Sequence, residues 1–436
     1  FVLDGVTDLD RSSARSRSGV NALIGGRTRS TLVKANWQDT VTPKLLLNVT
    51  GAFIRERTST SNKFDLPIEA GFYGEWTGAA SAVYQFKGAN AFQAGWDARR
   101  LRDDGASLYY LNDQFHVRQQ DAHRGTALRQ GGYAGETWSA LKGRIHGAVG
   151  VRWDGHESYH TTPTSPQASA AFRLPLGPEL QFGWGQYVQF PELAQITSPM
   201  GGARLAPERA NHYSVAVEQR AGGDSRIRVE AWNRDDRDRI SQPLLDPRLI
   251  NNQVTLGTNV NYYNSTRGYS RGVTVLAQRR SANRLSGWVS YTLGYARERD
   301  SMAGASYWSI HDQRHIANVY LSYRLTSSLN LSGRWSYGSG EPIPGYLKSR
   351  SGLYYLAPTR NDLRLPSYQR ADLRVNKSFT YDRWKLTLYG EVINVTNHRN
   401  MRFVSFDGVN SSTQRASLTI DRVFPILPVA GVTLEF

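Results

Sequence analysis

Two histidines four residues apart, His311 and His315, share a short segment with Tyr307 and Trp308. A His pair at that spacing could ligate a metal. Here Asp312 follows the first histidine and no acidic residue completes an HExxH pattern. Hydrogen bonding at a strand end is the plainer role for such imidazoles, and His156 and His160 read the same way. No metal ligand is assigned. Cysteine is absent, which removes thiolate metal sites and disulfide frameworks. Asp235, Asp236 and Asp238 are interleaved with Arg234, Arg237 and Arg239, which reads as a solvated, charge-mixed strand end rather than paired catalytic carboxylates. No nucleophile motif and no phosphate-cradling glycine loop occurs, so the chain is expected to be neither an enzyme nor a cofactor protein.

What remains is recognition chemistry. Tyr262, Tyr263 and Arg267 form one aromatic and basic group, and Tyr346, Lys348, Arg350, Tyr354 and Tyr355 form another. With Tyr307 and Trp308 they could line a vestibule that holds an anionic solute by stacking and charge together. The alternative is that these cations only solvate loops.

The elements that carry these residues are strands. In the last stretch, Val432, Leu434 and Phe436 alternate with Gly431, Thr433 and Glu435, giving one apolar face and one small or polar face. Leu285, Gly287, Val289, Tyr291, Leu293 and Tyr295 interleave in the same way with Ser286, Trp288, Ser290, Thr292 and Gly294. About seventeen such segments are expected, near 27–39, 44–57, 75–86, 90–102, 125–138, 141–156, 165–174, 179–189, 211–221, 225–238, 266–280, 283–299, 315–325, 329–339, 368–380, 384–396 and 429–436. Residues 1–26 read as an irregular outer loop. The connections alternate short and long. Thr40–Pro43, Lys87–Ala89, Pro175–Pro178 and Tyr381–Arg383 are short, whereas 58–74, 103–124, 190–210, 239–265, 340–367 and 397–428 are long.

Tight turns on one rim and long loops on the other describe a transmembrane antiparallel up-and-down β-barrel, with the turns periplasmic and the loops extracellular. Mean hydropathy is negative and no apolar run reaches the roughly 18 residues of a spanning helix. In a barrel only alternate residues face lipid, so neither fact opposes a membrane location. Lys plus Arg number 53 against 37 Asp plus Glu, a net charge of +16. Nucleic-acid binding would gather that charge in a patch or a recognition helix, whereas here it is spread one or two per strand. Arg144, Arg152, Arg228, Arg234, Arg334 and Arg374 take lumen parity, where charge is cheap only if the interior is wet. The ligand candidates are therefore Tyr307, Trp308, Tyr346, Arg350 and Tyr354 in the outer loops, with Arg228 and Arg234 in the lumen. Cations near the outer rim could alternatively hold lipopolysaccharide phosphates.

Three stretches resemble one known family, the TonB-dependent outer-membrane receptors. They are Leu205-Ala-Pro-Glu208 with Asn211 and Tyr213; Arg370 to Lys377, Leu386 to Gly390 and Asn394-Val-Thr-Asn397; and the closing Pro428 to Phe436. Ser339-Gly-Glu-Pro342, opening a loop, is similar to the wider receptor group. The resemblance covers residues 27–436 and implies a barrel of about 22 strands around a plug, of which some five strands, the plug and the TonB-contact segment are not found here. It further implies uptake of a scarce solute, a ferric siderophore or a carbohydrate or peptide, driven by a TonB-type inner-membrane protein. The alternative class is a passive porin-like channel. On this reading the chain alone is expected not to close into a barrel.

Overall fold

The structure is a computed structural model that describes residues 1–17, 19–110, 117–175, 177–202, 204–257 and 261–436. Parts of three expected long loops (111–116, 203 and 258–260), one residue of the expected N-terminal loop (18) and one of a short turn (176) lie outside the described residues.

Period-two patterning gives one antiparallel sheet of 19 strands. Eighteen of them form a meander in chain order, and Ala305–Trp308 pairs beside them with the end of Leu285–Asp300. All seventeen expected segments are wall strands. The eighteenth, Val2–Asp10, corrects the reading of 1–26 as loop: it pairs with Gly25–Val33. Its acidic residues mask the alternation in the sequence. In the sheet they meet cations and a hydroxyl of the neighbouring strand, Asp8 with Arg27 at 2.7 Å and Asp4 with Thr31 at 2.6 Å.

Several expected loops are shorter than their spans suggest. Leu45–Ser61 pairs with Pro67–Lys87, and Asn90–Tyr110 with Val117–Ala140, so much of 58–74 and 103–124 is strand rising past the apolar band. The expected loops 340–367 and 397–428 are also structured. Leu347–Arg350, Leu353–Leu356, Asn400–Val409 and Arg415–Val423 make a four-stranded sheet of their own. The tight turns are local in origin. Between Leu285–Asp300 and the strand before it, Asn283 and Arg284 both take positive φ (49° and 69°), the pair of left-handed residues that a two-residue hairpin with native twist requires.

The wall has no dry core. Its outward positions, among them Val215, Val217, Ile227, Val229, Val273, Val275, Val289 and Tyr291, are exposed. A contiguous apolar belt of this kind would be a large liability in water and is what a bilayer covers. The main buried cluster is instead in the long loops, where Ile343, Leu347, Leu356 and Ala416 pack with Leu363, Phe403, Phe406 and Ile420. The two faces differ in their tolerance of charge. Val289→Arg, outward near mid-belt, is expected to cost about 2–4 kcal/mol of folding stability in lipid, whereas Ser290→Arg, facing inward, should cost little. Urea unfolding of both variants in vesicles checks this, and equal costs would contradict the assignment of faces.

Among the described residues no pairing joins Val2–Asp10 to the last strand, Leu427–Glu435. The sheet therefore has two free edges.

Candidate functional site

Inward-pointing side chains are polar, and they are matched to one another. Arg152 crosses the strand Val117–Ala140 to reach Asp97 at 2.9 Å while also holding Asp154 at 2.7 Å. Gly131 lies in register between those two aspartates, and a Cβ there would stand 2.6 Å from the Asp154 carboxylate. Glycine is what lets the guanidinium pass. Arg228 pairs with Glu230 at 3.2 Å, lies 3.9 Å from Glu218 and also bonds Gln181. Arg234 holds Asp236 at 2.6 Å, and Arg374 reaches Glu391 at 3.4 Å. Four of the six arginines expected to make the lumen positive thus have wall carboxylates within 4 Å. Arg334 has no ion pair among the described residues, and Arg144 sits in the turn before Ile145–His156 rather than on the wall. Between these pairs lies a concave stretch of about 680 Å³, lined by Gln93, Tyr133, Gln167, Tyr187, His212 and Trp232 with Arg152 and Arg234.

The segment after strand Glu179–Gln189 folds back onto the inner face. Its short helix Leu193–Thr197 carries a capping box between Glu192 and Gln195, and Leu193 is buried against Leu101 and Ala127. Ser198 donates to Asp121 at 2.5 Å, Arg129 donates to the Pro191 carbonyl at 2.7 Å, and Phe190 packs on His156 and Tyr159. This inward strap was read from the sequence only as a long loop. Its signal was the S/T-x-x-E/Q-like spacing with a Glu at the cap, embedded among turn residues.

The outer-loop candidates divide. Tyr307 is 5% exposed, and its ring lies under Arg360, whose guanidinium is 4.8 Å from the ring centre and 2.7 Å from Asp246. Burial pushes the Tyr307 hydroxyl above its usual range, with Arg360 opposing. Burial would lower Arg360, but Asp246 and Tyr307 outweigh it and raise the guanidinium's affinity for its proton. Trp308 is stacked by Arg314 at 4.5 Å, and its carbonyl accepts from Asn361 at 2.8 Å. Tyr346 is buried beside Leu347 in the loop core. Of the expected vestibule residues, Tyr307 and Tyr346 are thus buried, Tyr307 with Arg360 over its ring. Arg350 is exposed at a hairpin tip, and half-buried Tyr354 pairs across to Ala416. His315 Nδ1 lies 2.8 Å from the Tyr291 hydroxyl, and its backbone N–H donates to Ser339.

The residues that organise these loops were named in the sequence only in passing or as parts of the family stretches, without this structural role. Asp312, with a fully buried carboxylate, pairs with Arg314 at 3.2 Å and with Arg364, and accepts the Ala296 N–H at 2.8 Å. Asn394, 0% exposed with positive φ, donates to the Phe424 and His398 carbonyls, and its N–H reaches Asp372. The stretch Asn394 to Asn397 therefore anchors the last long loop to the wall. Glu208 likewise accepts the Ile240 N–H at 2.6 Å and ties two strands at their loop ends.

This wall is similar to several solved receptors. The ferric-catecholate import receptor Fiu from E. coli K12 aligns with a TM-score of 0.65 at 11% identity, over 96% of this chain and 65% of that one. The ferric citrate transporter FecA gives 0.66 at 14%, over 100% and 66%. The ferric yersiniabactin uptake receptor FyuA from Yersinia pestis gives 0.64 at 14%, over 96% and 64%. The chain thus spans about two thirds of these receptors' length, and identities this low speak for the fold. A search of curated protein sequences finds no match. The sequence profile described as TonB dependent receptor-like, beta-barrel, matches residues 6–395, and with the meander and loop pattern above it establishes that the chain belongs to the family of TonB-dependent receptor β-barrels.

Proposed function

We propose that the chain is the barrel of an outer-membrane importer for a scarce solute too large for porins, of the ferric-siderophore kind, energised through a TonB-type inner-membrane protein. The family match supports transport, and the inward strap Phe190–Ser198 is the observation that carries active import over passive flow. A wide open pore needs no helix packed across its inner wall. Four of the lumen arginines are paired with their own wall, so the wall suits a polar chelate that offers mixed hydrogen-bonding groups. Any preference for an anionic solute would come from exposed loop cations such as Lys348 and Arg350. Outer-membrane lipid, with lipopolysaccharide on the loop side, would cover the apolar belt.

The test is accumulation of radio-iron supplied as single ferric siderophores to cells that express the protein as their sole receptor. Uptake is expected to stop when the proton-motive force is dissipated. Uptake indifferent to an uncoupler, together with steady conductance of the purified protein in planar bilayers, would establish the porin-like reading instead.

A further inference from the structure

The chain's positive charge is concentrated on one rim. The turn ends of the wall, residues 39–48, 84–92, 140–146, 172–180, 219–227, 278–286, 323–330, 377–386 and 434–436, hold fourteen Lys and Arg against five Asp and Glu, nine of the net sixteen positive charges. Among the described residues only Arg173, Arg226 and Lys385 of those fourteen are ion-paired. Arg152, Arg228, Arg234 and Arg374 on the inner wall have carboxylate partners, whereas eleven of the fourteen rim cations have none among the described residues. The density is highest at one hairpin, where Arg279, Arg280 and Arg284 fall within six residues and Arg324 follows on the next turn, its N–H donating to the Arg284 carbonyl at 2.9 Å. All four are exposed.

Their position relative to the apolar belt indicates the partner. Arg279 has the outward parity of Val273 and Val275, and Arg284 reaches the carbonyl of Leu325 at 3.3 Å. Leu325 and its neighbour Tyr323 are each 43% exposed on the outer face. Cations hung from the edge of an apolar and aromatic collar sit at the level of a bilayer's phosphates, with their stems on the apolar side. An acidic soluble protein would find the charge but would have no use for the collar. We propose that this rim, centred on Arg279, Arg280 and Arg284, binds the headgroup phosphates of anionic glycerophospholipids in the leaflet facing the turns. The inference rests on the outer-membrane reading above.

The experiment uses the protein extracted from its own membrane and counts lipid adducts by native mass spectrometry with phosphatidylglycerol, phosphatidylcholine, lipopolysaccharide or inorganic phosphate added. Phosphatidylglycerol is expected to bind preferentially. The triple change Arg279→Gln, Arg280→Gln, Arg284→Gln should weaken it on the order of 10–100-fold, while the corresponding triple Lys variant, with the same circular dichroism, should retain it. Equal retention of phosphatidylcholine, stronger retention of lipopolysaccharide, or a Gln variant that binds like the parent would overturn the proposal while leaving the membrane reading intact. Recovery of the protein outside the outer-membrane fraction would overturn both.

Discussion

Val6→Cys and Val432→Cys, introduced together into residues 1–436 and oxidised in micelles, are expected to stay unlinked. The two positions lie on the first and last strands of the wall, 55% and 65% exposed, and nothing pairs those strands with each other among the described residues. A disulfide needs Cα atoms within about 4.4–6.8 Å, a separation that adjacent strands provide and free edges do not. The chain's lack of native cysteine makes the readout clean. Leu388→Cys with Val432→Cys, direct partners in the sheet, is the positive control. The energetic consequence is large. Each edge strand is nine residues long, and roughly half of its backbone N–H and C=O groups point away from its one partner. In hydrocarbon each such group costs several kcal/mol, so the open wall is disfavoured by on the order of tens of kcal/mol. Residues 1–436 alone should therefore show no heat-resistant fast-migrating form on electrophoresis. On the loop side the two ends do meet, since Arg11 pairs with Asp421, so an unlinked cysteine pair would report on the wall and not on a general separation of the ends. Rapid linkage, or mobility that shifts on boiling, would mean that the sheet closes on itself.

The wall was legible because its signals are local. Leu285 to Tyr295 declares its two faces residue by residue, whereas the turn Asn283-Arg284 was read as the start of that strand. Val2–Asp10 was not legible, because Asp4, Asp8 and Asp10 break its apolar face; Asp4 and Asp8 are answered by Arg27, Arg29 and Thr31 on the next strand, and Asp10 by the Ser12 N–H. The loop sheet was invisible for a related reason. Strands of four residues, Leu347–Arg350 and Leu353–Leu356, show no readable period, and Ala416, the partner of Tyr354, lies some sixty residues along the chain. Tyr307 and Tyr346 have the composition of a binding surface, but exposure is a tertiary property: both are buried, Tyr307 with Arg360 over its ring. For the lumen arginines parity was readable and pairing was not: Asp97 and Arg152 are 55 residues apart and meet only because the strand between them carries Gly131.

Asp312→Ala is expected to loosen the outer loops more than any other single side-chain change. Its carboxylate is 0% exposed and serves three partners: Arg314, Arg364 and the Ala296 N–H. Arg364 uses the same grip to hold the loop, donating also to the Asp312 carbonyl at 2.7 Å and to the Gly340 carbonyl at 3.0 Å. Truncation leaves two guanidiniums facing a space lined by Trp308 and Tyr295 without a counter-charge. Breaking a buried ion pair in this way costs about 3–5 kcal/mol, and because Arg314 and Arg364 remain 35% and 26% exposed the lower end, about 3 kcal/mol, applies here. Asp312→Asn keeps an acceptor for Ala296 and should lose less. The loss is local, since the wall strands hold their own ladders. Amide hydrogen exchange should therefore accelerate across 340–366 and at Trp308, whose carbonyl Asn361 holds, while 285–295 keeps its protection. If the loop sheet positions solute contacts such as Arg350, apparent affinity for the transported chelate falls in the Ala variant and partly returns in the Asn variant. Unchanged exchange across 340–366 in Asp312→Ala would show that the apolar cluster around Ile343 holds the loops without this carboxylate.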